Sequence, residues 1–535
     1  MALDRFPKER LALARLEGKK RVEAILDHPN PQALVRSLPA QDLYFTIQEA
    51  GPEDACELVA LASPAQFRSF VDLDAWQGYE LSPTKVLDWL RLAREGGDES
   101  YLKKLRTLDV EVQELLLRSI VRIIDLEEEG EPQEDFLGPV ERTPEGRFLV
   151  VFPPEGPDYA VAKRLIDELY ADDPFMAGRF LYAIRWELES ELTETALRWR
   201  NARLADLGFP SPDEAASLYA RVDLSAPLPP PAGVPDEPPG FYLAPRDADH
   251  LFARAMARLD PVRRQSAELE LLTVLNSALV ADAVLPHDTD AVRDALDAVH
   301  RTLSLGLEHL AGGDEERAAH HLEQAAVKRI FQIGFTRVLQ IRWRADRMRK
   351  ELPLEIDRGA FLADGLLGQR LEALFRRRPR YADAKGKVRA FTTLEELAEV
   401  SADLDAIEAT ARAFRDAGFT SDPTRAMVVH AWGDAGLARV RYSDLFLTRL
   451  ARVLVGLSPS WEALPADRLA EAARASFSHE GRVLPAAIEA AHDLLDAPSF
   501  VASALARLQD ELGAQIAANG FDRLEPRFAA PWIVG

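Results

Sequence analysis

The first hundred residues alternate between prolines and short runs of apolar residues at helical spacing. Four prolines mark this pattern at intervals of 13, 12 and 19 residues: Pro39, Pro52, Pro64 and Pro83. Proline fits the first turn of a helix because its missing N–H would be unpaired there anyway. Helices of two or three turns are not stable alone in water, so they must stack on one another. We therefore predict a superhelical array of short helices over residues 1–135, with a longer helix near 99–129.

One stretch has the pattern of strands instead. A Pro-Glu-Gly turn at 144–146 is followed by the apolar run Phe148–Phe152. Apolar runs bounded by such turn residues are typical of a β-hairpin. Helical spacing resumes after Tyr159, so we predict a small hairpin followed by helices for residues 136–225.

A proline-rich segment divides the chain near its middle. Seven prolines fall in the thirteen positions from Pro227 to Pro239, a composition typical of an extended linker, which we place at 226–240. Helical spacing continues over 241–535. Within it, residues 314–350 carry an apolar stripe with no helix breaker except Gly334, which predicts one long central helix. The fold class expected from these patterns is mainly α, with a larger helical C-terminal half.

Length and composition narrow the class of protein. At 535 residues and 47% hydrophobic content, the chain is large enough for several packed domains. A single cysteine, Cys56, excludes a disulfide or a cysteine-based zinc site within one chain. No run of about 18 apolar residues and no signal-peptide pattern is present. We expect a cytoplasmic protein that is not inserted in a membrane.

The charge is unevenly distributed along the chain. The net charge is −23, yet residues 326–390 carry seventeen Lys and Arg against seven Asp and Glu. Such a local excess favours an anionic partner, either an acidic protein surface or nucleic acid. The tightest cluster is the candidate binding patch: Arg376, Arg377, Arg378 and Arg380. For Arg337–Lys350 the alternative is internal, because arginines on a packing helix cover apolar surface and pair with acids.

Candidate chemistry is sparse. Glu316, His320 and Glu323 share one helical face at a spacing that metal sites use. A metal site also needs ligands from a second element, and no second Glu-x-x-His lies nearby, so we predict neither a metal nor a cofactor. No phosphate-binding glycine loop, nucleophile elbow or metalloprotease motif is present. No catalytic residue is predicted.

Three functional hypotheses follow from these patterns. The first is a non-enzymatic interaction or scaffold protein with an unknown protein partner, because helical arrays offer large binding surfaces. The second is association with nucleic acid through the basic patch. The third is an enzyme whose site assembles from residues far apart in sequence, which a deep pocket with convergent His, Asp or Glu side chains and shifted pKa values would favour.

Two resemblances accompany these patterns. Residues 33–75 combine a Leu-Pro helix start, a helical run, Gly-Pro-Glu and a second run that leads to Ser63-Pro64. This order resembles the cytoplasmic N-terminal helical domain of bacterial magnesium transporters, and the likeness does not extend to transport. The whole chain is similar to an uncharacterised family of large, acidic, helical proteins from delta-type proteobacteria. That resemblance implies a helical fold and no known activity.

Overall fold

The computed structural model describes residues 6–13, 16–231 and 249–535. The chain forms two compact units, each built from separate segments. Unit 1 comprises Met1–Ala220, Ser225–Leu303 and Leu310–Gln332, and unit 2 comprises Arg221–Leu224, Ser304–His309 and Ile333–Gly535. Both are mainly helical, which confirms the predicted fold class.

Unit 1 consists of short helices and two small sheets. Its helices are α1 (Pro7–Leu13), α2 (Gly18–Leu26), α3 (Pro31–Ser37), α4 (Ala40–Ala50), α5 (Cys56–Leu61), α6 (Pro64–Asp74), α7 (Pro83–Ala93), α8 (Asp98–Leu105), α9 (Val110–Ile120), α10 (Pro157–Asp172), α11 (Pro174–Trp186), α12 (Glu189–Asp206), α13 (Pro212–Ala216), α14 (Leu251–Arg258), α15 (Pro261–Asp282) and α17 (Glu315–Gln324). Its strands are β1 (Trp76–Gln77), β2 (Glu80–Leu81), β3 (Arg122–Asp125), β4 (Val140–Arg142) and β5 (Phe148–Val151).

Unit 2 contains the C-terminal helices and two strand pairs. Its helices are α19 (Gly365–Leu374), α20 (Leu394–Asp416), α21 (Ser421–Trp432), α22 (Ala435–Arg439), α23 (Tyr442–Leu454), α24 (Leu469–Ser476), α25 (Pro485–Leu494), α26 (Pro498–Leu508) and α27 (Ala514–Asn519). Its strands are β6 (Glu355–Asp357), β7 (Ala360–Phe361), β8 (Tyr381–Ala382) and β9 (Val388–Arg389). Two further helices, α16 (Thr289–Ala311) and α18 (Val327–Glu351), contribute residues to both units.

The N-terminal helices begin where the prolines predict. Pro64 and Pro83 occupy the first turns of α6 and α7, and Ser63 accepts a hydrogen bond from the Gln66 N–H in a capping box. Helix α4 packs against α2 on one side and α6 on the other, which buries apolar faces that such short helices cannot bury alone. The superhelical form of the array stays a prediction.

The region around 99–129 differs from the single helix expected there. It contains α8, then α9, and then strand β3, because Asp109 and Val121 adopt extended backbone conformations that end the helical path. Strand β3 pairs antiparallel with β5, which also pairs with β4 in the predicted hairpin, so the sheet order is β3-β5-β4. The hairpin is confirmed, with a third strand added.

The long helix predicted over 314–350 is interrupted. Helix α17 ends at Gln324, Ala325 is extended, and α18 begins at Val327. The break is stabilised from α15: Glu270 Oε2 accepts from the Val327 N–H at 2.7 Å, and Arg263 Nη2 donates to the Leu322 carbonyl at 2.6 Å. A carboxylate at a helix start and a cation at a helix end both suit the helix dipole.

The proline-rich linker predicted at 226–240 lies outside the described residues from 232 onward, as do residues 241–248. Its first part is described, and the Pro229 carbonyl accepts from the Ala326 N–H at 3.0 Å. The division of the chain at 1–135, 136–225 and 241–535 stays a prediction.

Candidate functional site

Three arginines of α18, Arg342, Arg344 and Arg349, form ion pairs or hydrogen bonds within unit 2. Arg344 Nη2 lies 2.5 Å from Asp405 and 2.9 Å from Glu408. Arg342 Nη1 donates to the Leu374 carbonyl at 2.8 Å, and Arg349 pairs with a β6 glutamate at 2.9 Å. These contacts favour the internal alternative for this helix, in which the arginines pack and pair within the fold.

The candidate basic patch lies on the turn that follows α19. Arg376 and Arg377 are exposed, whereas Arg378 and Arg380 are half-buried on either side of the buried Pro379. The Arg380 N–H donates to the Ala373 carbonyl at 3.0 Å, which holds the turn against the end of α19. The four arginines therefore share one turn, and their role in binding stays a prediction.

The weak metal candidates do not form a ligand set. His320 Nδ1 lies 3.8 Å from Glu323 Oε2, and Glu316 lies 4.0 Å from Arg258. In the described part of the chain, no three His, Cys, Asp or Glu side chains converge in a way that could hold a metal ion.

A cavity of about 790 Å³ lies within unit 2. It is bounded by the first turns of α19, α23 and α26 and by the middle of α20. Its wall is largely apolar, with Leu366, Leu367, Ile407 and Phe500 as its larger side chains. Ligand sites of globular proteins combine such an apolar wall with a few convergent polar groups.

The polar end of this cavity is a hydrogen-bonded cluster. Ser443 donates its hydroxyl to Asp364 Oδ1 and its N–H to Asp364 Oδ2, while Arg507 donates to the Ser443 hydroxyl. Arg507 Nη1 also lies 2.9 Å from Asp444 Oδ1 and 3.6 Å from Asp364 Oδ1. We call Asp364, Ser443, Asp444 and Arg507 the ionic cluster.

Local helix geometry positions the ionic cluster. Asp364 precedes α19, Ser443 and Asp444 lie in the first turn of α23, and Arg507 lies in the last turn of α26. The start of α23 is fixed by Tyr442, whose N–H donates to the Leu362 carbonyl at 2.7 Å and whose hydroxyl donates to the Pro353 carbonyl at 2.6 Å. The carboxylate of Asp444 accepts from the Arg441 N–H at 2.7 Å.

Burial shifts the pKa of both acids upward. Burial raises the pKa of Asp444 to about 7, although Arg507 and the Arg441 N–H act in the opposite direction. Burial also raises the pKa of Asp364, and the Ser443 hydrogen bond opposes that rise. The ionic cluster therefore takes up protons more readily than two exposed aspartates would.

Two helix N-termini at the cavity lack a side-chain cap. The side chain of Asp364, before α19, accepts no hydrogen bond from the first turn of that helix, and Ala497, before α26, has no polar side chain that could accept one. The first-turn residues of both helices line the cavity: Gly365, Leu366, Leu367, Ser499 and Phe500. First-turn N–H groups have no partner within their own helix and carry the positive end of its dipole.

The family model of a family of unknown function, DUF6178, matches residues 2–535. The chain belongs to this family. Membership agrees with the whole-chain resemblance to an uncharacterised family, whereas the delta-proteobacterial origin and the likeness of 33–75 to a magnesium-transporter domain stay predictions. No curated protein and no solved structure matches the DUF6178 chain. None of the helices in residues 6–13, 16–231 and 249–535 is long and apolar enough to cross a membrane.

Sequence reasoning about the DUF6178 chain named none of the ionic cluster. Ser443 is 79 residues from Asp364 and 64 residues from Arg507, so no motif brings them together. The only local signal is Pro498, which marks the start of α26 in the same way as the N-terminal prolines.

Proposed function

We propose that the chain is a binding protein whose unit 2 takes an amphiphilic organic acid into its cavity. The observation that carries this proposal is the lining of the cavity. Most of its wall consists of apolar side chains, and its one polar end contains Arg507. An apolar tail would replace water along Leu366, Leu367 and Phe500, and its transfer from water is favourable.

The acidic head group is inferred from the donors at the polar end. The N–H groups of the first turns of α19 and α26 suit an anion, as helix N-termini generally do. Arg507 adds a guanidinium, the side chain best matched to a carboxylate. Asp364 lies 3.6 Å from Arg507 and Asp444 lies 2.9 Å from it, so the ligand would replace Asp364 rather than Asp444 beside the guanidinium.

A proton accompanies the anion in this proposal. An added negative charge beside Asp364 and Asp444 raises their pKa values further, so binding takes up protons. The affinity for an organic acid should therefore increase as the pH falls from 8 to 6.

Binding fits this site better than catalysis does. A serine nucleophile needs an adjacent general base, usually an imidazole, and no histidine is among the described residues that line this cavity. The Ser443 hydroxyl already donates to Asp364, which holds it in a structural hydrogen bond. The cytoplasmic location expected from the sequence is part of the same proposal.

A series of probes with one tail and three head groups tests the proposal. Decanoate, decanol and decylamine are titrated into the full chain while the melting temperature is followed. We expect decanoate to raise the melting temperature most and decylamine least, because the first-turn N–H groups and Arg507 select an anion. Equal shifts for all three would contradict an acid-binding site, and no shift for any would contradict ligand binding.

A second candidate function is nucleic-acid association through the Arg376–Arg380 turn. The exposure of Arg376 and Arg377 favours it. It requires salt-sensitive binding of RNA or DNA that the triple reversal of Arg376, Arg377 and Arg378 to Glu abolishes. Labelled single-stranded and double-stranded probes at two salt concentrations test it, with Arg412→Glu, an exposed arginine of α20, as the matched control. Binding that survives the triple reversal would remove this candidate.

A further inference from the structure

A groove of about 460 Å³ runs between α9, α10 and α11 in unit 1. Its floor is apolar and includes Leu165, Leu169 and Phe180. Two apolar side chains at its edge are unusually exposed for their type, Val110 at 55% and Met176 at 52%. Exposed apolar side chains along a groove are typical of surfaces that bind another molecule.

The charged groups around the groove are mainly acidic. Four acids line it against two arginines: Glu114, Glu168, Asp172, Glu187, Arg106 and Arg179. Arg106 forms an ion pair with Glu168, with Arg106 Nη2 and Glu168 Oε2 2.5 Å apart. Three acids therefore remain against Arg179, which favours a cationic occupant.

Glu114 is the most informative of these acids. Glu114 is only 6% exposed. Within the part of the chain that the structure describes, its carboxyl group makes no ion pair. The charges that act on it are acidic: Glu187 beyond the end of α11 and Glu111 on α9. Arg118, the nearest helix arginine on α9, instead donates to the Glu187 carbonyl at 2.6 Å.

A buried carboxyl without a cation is costly for the folded protein. Desolvation disfavours its ionised form, and the neighbouring acids add to that cost. The cost is relieved when a cation enters beside it, so an acid in this position favours a positively charged ligand group. Burial, Glu187 and Glu111 together raise the pKa of Glu114 to about 7.

We propose that this groove binds a basic amphipathic helix of a partner protein, with a Lys or Arg of that helix paired to Glu114. The apolar face of the helix lies on Leu165, Leu169 and Phe180, and its basic flank faces Asp172 and Glu187. This is the helix-in-groove mode of recognition, in which apolar anchors give affinity and charge gives orientation.

The proposal has a defined pH dependence. A cation beside Glu114 favours its ionised form, so binding releases a proton and becomes tighter as the pH rises from 6 to 8. The charges that act on Glu114 are those of Glu187, at the end of α11, and Glu111, on α9. The other charged residues that line the groove are Arg106, Glu168, Asp172 and Arg179.

Fluorescence anisotropy with synthetic peptides and the full chain tests the proposal. The probe is an amphipathic Leu/Lys helix of about 18 residues, which is five turns. A scrambled peptide of the same composition and a Leu/Glu helix serve as controls. We expect only the Leu/Lys helix to bind, with Glu114→Gln weakening it about tenfold and removing its pH dependence.

Two further variants distinguish binding in the groove from non-specific attraction of the basic peptide to an acidic protein. Met176→Lys should weaken the binding of the Leu/Lys helix because it places a charge of the same sign as the helix on the apolar edge. Glu489→Gln, an exposed acid of α25, should leave binding unchanged. Equal binding of the scrambled peptide, or unchanged binding and pH dependence in Glu114→Gln, would overturn the proposal. Spermidine binding as tightly as the helix would also overturn it, because the groove would then be a small-cation site.

Discussion

Glu114 of unit 1 and Asp444 of unit 2 are both nearly inaccessible to solvent, at 6% and 2% exposure, and burial raises the pKa of each to about 7. Their surroundings differ. Asp444 has Arg507 at 2.9 Å and accepts from the Arg441 N–H, whereas the charges acting on Glu114 are both acidic. Asp444 thus has its counter-charge within the fold, whereas Glu114 has none among the described residues.

The two proposed sites are therefore expected to bind their ligands with opposite pH dependence. An anion bound beside Asp364 and Asp444 takes up protons, and a cation bound beside Glu114 releases one. Affinity should increase toward low pH in the cavity and toward high pH in the groove. This difference distinguishes the two proposals in the same chain, and each can fail without the other.

The largest expected effect comes from removing the internal counter-charge. Arg507→Met leaves Asp444 buried without its cation, and breaking such a pair costs about 3 kcal/mol. Hydrogen-exchange mass spectrometry on peptides from α23 and α26 should report this loss locally. Adding Asp444→Asn to Arg507→Met should restore most of the protection, because it removes the buried Asp444 charge and Asp364 keeps its two hydrogen bonds from Ser443. Equal protection in the wild type and Arg507→Met would show that the pair contributes little.

A smaller effect of opposite sign is expected at Glu114. Its pKa of about 7 in the folded chain lies above the ordinary value of 4.5, so folding binds a proton between these values. Stability is therefore lost as the pH rises from about 4.5 to about 7, and it is level above that range. Glu114→Gln should stabilise unit 1 by about 1 to 2 kcal/mol at pH 8 and by much less at pH 5.

Hydrogen exchange of peptides from α9 and α11 at both pH values measures this difference. Glu99→Gln, an exposed and ion-paired acid of α8, is the matched control and should show no stabilisation at pH 8. If Glu114→Gln stabilised unit 1 equally at pH 5 and pH 8, the result would contradict the claim that Glu114 is unpaired and titrates between these pH values.

The smallest effects separate the two kinds of arginine in the basic segment. Arg344→Met should destabilise unit 2 by about 1 kcal/mol, because it removes a half-buried guanidinium that pairs with two carboxylates. Arg376→Met, on the exposed turn after α19, should change stability by less than about 0.5 kcal/mol. Urea unfolding midpoints compare the two variants. Equal losses of stability in the two variants would contradict the claim that Arg344 stabilises the fold and that Arg376 does not.

The parts of the fold that depend on neighbouring residues could be predicted from the sequence. Ser63-Pro64 signals a helix start, and Pro144-Glu145-Gly146 signals a hairpin turn, because capping and turn geometry involve residues a few positions apart. The break between α17 and α18 could not be predicted, since it depends on Arg263 and Glu270, which contact that junction from 57 or more residues away.

The candidate sites were beyond sequence reasoning for the same physical reason. The ionic cluster combines residues from the ends of three helices. In the sequence alone, an aspartate before a helix indicates only an ordinary N-cap. Glu114 lies in a helix where Glu111 and Arg118 are also present, so its lack of a cation is visible only once α10 and α11 are packed against it. The charge run at 376–380 was visible in sequence, and its function stays a prediction.

Calorimetric titration of decanoate into the full chain tests the central claim most directly, with two variants of α26. Ser503 and Ala502 are both exposed, but only Ser503 lines the cavity, so Ser503→Trp places an indole at the edge of the cavity and Ala502→Trp places one outside it. The account predicts that the wild type and Ala502→Trp bind decanoate, more tightly at pH 6 than at pH 8, and that Ser503→Trp does not. Equal binding by Ser503→Trp, or affinity that increases with pH, would contradict it.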